Sequence, residues 1–129
     1  MVLYDWSMTN DIDFSVLEFS FTDKPLLIGG KAMEYYGIRK AGDDIDFVAS
    51  RNDHARLVRQ YPDGLQDLYG DIGVVRFGFE IWNTICTFDY DHLKEHAVEK
   101  ADYLIVSLEK LLFLKTLAKD DEKCKRDLG

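Results

Sequence analysis

Residues 26–47 read LLIGGKAMEYYGIRKAGDDIDF, and this stretch decides the fold. Leu26-Leu27-Ile28, bounded by Pro25 and a glycine pair, predicts a short buried strand. After Gly29-Gly30 a helix is predicted from Lys31, ending at Gly37, a natural C-terminal glycine. Ile38 to Gly42 reads as a loop. DDIDFVAS (43–50) then alternates, with Ile45, Phe47 and Ala49 facing one way and Asp44, Asp46 and Val48 the other. That pattern predicts a second strand with one polar and one apolar face.

The order strand, Gly-Gly turn, helix, basic loop, Asp-x-Asp strand has a chemical reading. Carboxylates two apart on a strand leave the same face, roughly 6.5–7 Å apart at the backbone. Such a pair is tolerated in water or around a cation, and magnesium suits it: a hard ion that shares its shell between carboxylates, water and phosphate oxygens. Glycines at a helix start let backbone N–H groups approach an anion. Taken singly, Gly-Gly is a plain turn and Asp-x-Asp a solvated strand end. The joint arrangement favours metal and phosphate. A second DIDF, at 11–14, lacks a preceding glycine strand and reads as the acidic opening of a helix.

Working outward, residues 11–20 place Ile12, Val16 and Phe19 at helical spacing, predicting a first helix. Residues 51–61 predict a helix with Ala55, Leu57 and Val58 inside and arginines outside. Pro62-Asp63-Gly64 is a turn, and Asp71 to Thr87 predicts strand, turn and strand around Gly78. Asp91 is expected to cap a helix over His92–Glu99. A short strand is expected at Tyr103–Val106, and Ser107 is expected to cap the helix LEKLLFLKTLA. The tail beyond it reads as helical or frayed. Helices and strands alternate, so the class is α/β (α+β): a small mixed sheet flanked by helices, in a single domain over 1–129.

Composition agrees. The chain has 129 residues, 47% hydrophobic and 31% charged, with net charge -8. That length suits one domain. The negative charge argues against extended nucleic-acid binding and for a nucleotide, small molecule or protein partner. Cys86 and Cys124 match no metal spacing and are expected to be reduced thiols of a cytoplasmic protein. The opening residues carry no basic patch followed by an apolar run, so neither a signal peptide nor a membrane span is expected. His92 and His96, four apart on the expected helix, read as surface histidines. Trp6, Trp82, Tyr35 and Tyr36 read as packing residues, although any of them could stack on a base.

The stretch 26–47 resembles the signature of the nucleotidyltransferase superfamily that includes DNA polymerase β, and more closely its minimal bacterial and archaeal members. These include antibiotic nucleotidyltransferases and abortive-infection-type toxins. That signature is a hydrophobic strand, Gly-Gly or Gly-Ser, then Asp-hydrophobic-Asp; here thirteen residues separate Gly30 from Asp44. VSLEKLLFLKTLA (106–118) also resembles the Ser-Leu-Glu-x-Leu-x-x-x-Lys helix of these domains. The resemblance implies a minimal nucleotidyltransferase fold in which Gly29 and Gly30 form the phosphate turn and Asp44 and Asp46 bind two magnesium ions. It also implies a third carboxylate on a following strand, for which Glu80 is the choice and Asp89 the reserve. Lys31 stands where the family often has Ser or Thr, and can meet a phosphate as a point charge. Arg39, Lys40 and Lys115 are candidates to neutralise a triphosphate. The implied activity is metal-dependent transfer of a nucleoside monophosphate from a nucleoside triphosphate (NTP) to a hydroxyl acceptor, with catalytic Asp44, Asp46 and Glu80. The alternative is a non-catalytic module of the same fold that acts through a protein partner. A homo-oligomer or a helical partner protein fits either reading.

Overall fold

A computed structural model describes residues 12–120. Nine strands and four α-helices follow in mixed order: β1 (Leu26–Ile28), α1 (Gly29–Tyr35), β2 (Ile45–Val48), α2 (Arg51–Gln60), β3 (Leu65–Leu68), β4 (Asp71–Arg76) and β5 (Phe79–Trp82). Then come β6 (Thr84–Ile85), β7 (Phe88–Asp89), α3 (Tyr90–Leu93), β8 (Val98–Glu99), β9 (Leu104–Ile105) and α4 (Leu108–Asp120). The main sheet has seven strands in the order β3-β4-β5-β2-β1-β9-β8, and β6 and β7 form a second, two-stranded sheet. β2 runs parallel to β5 and β1 parallel to β9, while the other pairs are antiparallel. The fold is α+β, with a mixed sheet.

Register explains the core. Ile105, Leu27, Phe47, Ile81 and Val74 are successive partners across five strands, so they share one face, and all are fully buried. Removing each of these side chains from water stabilises by about 1.5–3 kcal/mol. Phe14 caps this stripe, with its ring centroid 5.2 Å from Phe47 and 5.7 Å from Phe79. The next row along, Ile28, Asp46 and Glu80, lies on the opposite face.

Several elements depart from the sequence expectation. The first helix is a four-residue 3-10 turn, Phe14–Leu17, with Leu17 buried and Val16 exposed. Asp13 caps it by accepting from the Ser15 N–H at 2.9 Å, and Glu18 ends it at φ 48°; Asp11 and Trp6 lie outside the described residues. α1 begins at Gly29, two residues earlier than expected, so the glycine pair is the helix's first turn. Gly29 has φ +67°, a conformation open to glycine at little cost. At the other end, Gly37 N–H bonds the Glu34 carbonyl and Ile38 N–H the Met33 carbonyl, which is the Schellman closure expected of Gly37.

The strand expected over 43–50 is confined to 45–48, with Asp44 just before it, and Asp46 and Val48 are buried rather than on a solvated face. On α2 the buried side chains are Asp53, His54 and Leu57, while Ala55 is exposed. Polar partners, not hydropathy, set that face: Asp53 accepts from the N–H groups of Thr22 and Asp23 and pairs with Arg56 at 2.7 Å. β3 was not anticipated, because its residues are nearly all exposed and it is held by backbone pairing to β4. The helix expected over His92–Glu99 is only Tyr90–Leu93, capped by Asp89 rather than Asp91, and Val98–Glu99 pairs with β9 as β8. α4 starts as expected, with Ser107 Oγ accepting from the Lys110 N–H at 3.2 Å. Cys86 is disulfide-bonded, not the reduced thiol expected; Cys124 and the tail lie outside the described residues. Among the described residues, no helix is long and apolar enough to cross a membrane.

Candidate functional site

The expected acidic site sits where β1 gives way to α1. Ile28, the last residue of β1, is the register partner of Asp46, so the Gly29-Gly30 helix start follows directly from the position opposite Asp46. Ile28 occupies the N-cap position and makes no side-chain cap hydrogen bond. Gly29 and Gly30 are buried and Lys31 is half-buried.

On its other side Asp46 pairs with Glu80 across the parallel β2–β5 ladder. Register partners project from the same face of a sheet, with strands about 4.8 Å apart. Asp46 is 7% exposed and Glu80 half-buried. Asp44 is exposed, two residues before Asp46, and its neighbour Ile45 donates to the Gly78 carbonyl at 3.0 Å, which extends the ladder toward it. Asp46 and Glu80 thus share one row of two neighbouring strands, and Asp44 lies two residues before Asp46, just ahead of β2. Among the described residues no group of three His, Cys, Asp or Glu side chains is gathered so that it could hold a metal ion.

The cationic candidates are more dispersed. Arg39 and Lys40 are exposed on the loop between α1 and β2, and Arg39 Nε donates to Met33 Sδ at 3.4 Å. Lys115 is exposed on α4, which packs against α1. Asp89, the reserve carboxylate, lies on the small second sheet and accepts from the His92 N–H at 3.0 Å as the cap of α3. His92 and His96 share no helix: α3 ends at Leu93, and His96 follows it with φ 61°. Tyr36 is a packing residue whose hydroxyl donates to the Val106 carbonyl at 2.7 Å, and burial pushes its phenol up from its ordinary value. Trp82 packs at 3% exposure.

One polar residue beside the site escaped the sequence reading. Glu34 on α1 is 7% exposed, and its Oε1 accepts from the Ala41 N–H at 2.7 Å. A charged residue within KAMEYYG looks like an ordinary helix former, and only the three-dimensional burial marks it.

Searches against family models, curated proteins and solved structures found no match to this chain.

Proposed function

We propose that the chain is a metal-dependent nucleotidyltransferase that moves a nucleoside monophosphate from an NTP to a hydroxyl acceptor. The observation that carries this reading is the register Ile28–Asp46–Glu80, which sets a buried carboxylate between a glycine helix start and a second carboxylate. The donor set, all carboxylate oxygen, has the hardness that suits magnesium. Asp44, Asp46 and Glu80 are the residues that would hold it, and bound magnesium would lower the acceptor hydroxyl's pKa and stabilise the departing pyrophosphate. The Gly29-Gly30 turn would offer N–H groups to phosphate oxygens, and Lys31, Arg39, Lys40 and Lys115 would offer positive charge. Glu80, if not fully engaged with a cation, could accept the acceptor's proton.

A crystal soaked with magnesium and a non-hydrolysable NTP tests this. The reading expects the triphosphate against residues 29–31 with metal density at Asp44 and Asp46. A triphosphate bound elsewhere, or none, would contradict it.

A second reading is supported by the large apolar side chains exposed on α4. Here the fold acts as a non-catalytic binding module. Leu108, Leu112 and Phe113, exposed on α4, would offer apolar surface to a helical partner or a second copy. Asp44 and Asp46 variants that behave like wild type in complex formation would favour it.

A further inference from the structure

We infer that Glu34 is a positioning residue for the proposed nucleotide site, fixing the loop that delivers Asp44; this rests on the nucleotidyltransferase reading. The chain from Gly37 to Asp43 must cross from the end of α1 back to the start of β2. It is exposed along almost all of its length. Two backbone anchors bound the acidic end of that crossing. Ile45 N–H is held by the Gly78 carbonyl at 3.0 Å, just after Asp44. Ala41 N–H is held by Glu34 Oε1 at 2.7 Å, three residues before Asp44. Between these anchors only Gly42, Asp43 and Asp44 intervene, so the Glu34 carboxylate sets where Asp44 stands relative to Asp46.

Stability alone gives no reason for a carboxylate here. Glu34 is 7% exposed, and burial penalises an ionised carboxylate. One charge-assisted bond to Ala41 offsets part of that penalty. Glu34 Oε2 is buried and receives no hydrogen bond from the described residues. An apolar side chain of similar length would fill the same space without desolvating a charge, but could not hold the Ala41 N–H. A residue that sacrifices stability to fix a loop beside a binding site follows the usual stability–activity trade-off.

The test uses Glu34→Leu and Glu34→Gln in the full chain, read by thermal melting, hydrogen exchange at the Ala41 amide, and titration with magnesium plus each of four non-hydrolysable ribonucleoside triphosphates. The Leu variant is expected to melt at or above the wild-type temperature, to lose about tenfold or more of Ala41 amide protection, and to bind the preferred triphosphate about fivefold or more weakly. The Gln variant keeps an acceptor for Ala41 and is expected to retain both. A Leu variant that binds as tightly as wild type overturns the inference, as does a Gln variant impaired as badly as Leu. A Leu variant that melts well below wild type also overturns it, by making Glu34 a stability residue. Wild-type protein that binds none of the four with magnesium overturns the nucleotide reading itself, and Glu34's role with it.

Discussion

Asp46 and Glu80 are register partners on the parallel strands β2 and β5, on the face opposite the fully buried pair Phe47 and Ile81 one residue further along. The same two strands therefore build the hydrophobic core with one row and carry an acidic pair with the next. Strand alternation produces this directly, because successive residues of a strand point to opposite faces.

Gly29 should be intolerant of a side chain. Its φ of +67° belongs to the left-handed region, where any Cβ is strained, and the residue is buried at the join of β1 and α1. Gly29→Ala is expected to destabilise by about 1 kcal/mol or more, measured by urea denaturation. An unchanged midpoint would show that the helix start can relax.

Gly73 is required by close packing rather than by backbone angle. A Cβ there would lie 2.8 Å from Trp82 Cζ3, because the indole ring rests on Gly73 as its cross-strand partner. Gly73→Ala is expected to cost about 1–3 kcal/mol by overpacking and to shift the fluorescence of Trp82. A variant with wild-type emission and stability would contradict that packing.

The fold should be acid-labile through α2. Burial alone would raise the Asp53 carboxyl's pKa, but the N–H groups of Thr22 and Asp23, with Arg56 beside them, outweigh it and hold the pKa below the usual carboxylate value. Its contribution is therefore present above the unfolded value near 3.9 and lost as pH falls through the lower folded one. Burial also lowers His54 below 6.5, against a weaker pull from the Ile72 and Ile81 carbonyls. Between its folded pKa and 6.5 the unfolded chain binds a proton that the folded chain does not, so stability rises with pH there. Denaturation midpoints should drop from pH 7 to pH 5 in wild type, and less so in His54→Gln. Equal drops would remove His54 from the account.

Much of the stretch 26–47 was legible because its determinants are local. Three aliphatics before a glycine pair, a C-terminal Gly37 and an alternating DIDF each fix conformation within a few residues. Of the two candidates for a third carboxylate, Glu80 is the one whose strand pairs with that of Asp46, while Asp89 lies on the second sheet. What failed depends on distant partners. Asp53 is buried because Thr22 and Asp23 reach it from 30 residues away or more, so hydropathy placed Leu57 and Val58 inward correctly but missed Asp53 and wrongly buried Ala55. The helix over His92–Glu99 was overextended because the pairing of Val98 with Ile105 is invisible in a local window. Glu34 was missed for the same reason, its hydrogen bond to Ala41 spanning the loop rather than the helix.

The central claim is that the Asp44–Asp46 strand and the Gly29-Gly30 turn together bind a nucleotide through a cation. Isothermal titration of wild type, Asp46→Ala and Asp44→Ala with NTPs, with and without magnesium, tests it most directly. Binding in wild type that needs magnesium and is lost in both variants is the predicted result. Nucleotide binding that ignores magnesium and survives both substitutions, or no binding by wild type at all, would contradict it.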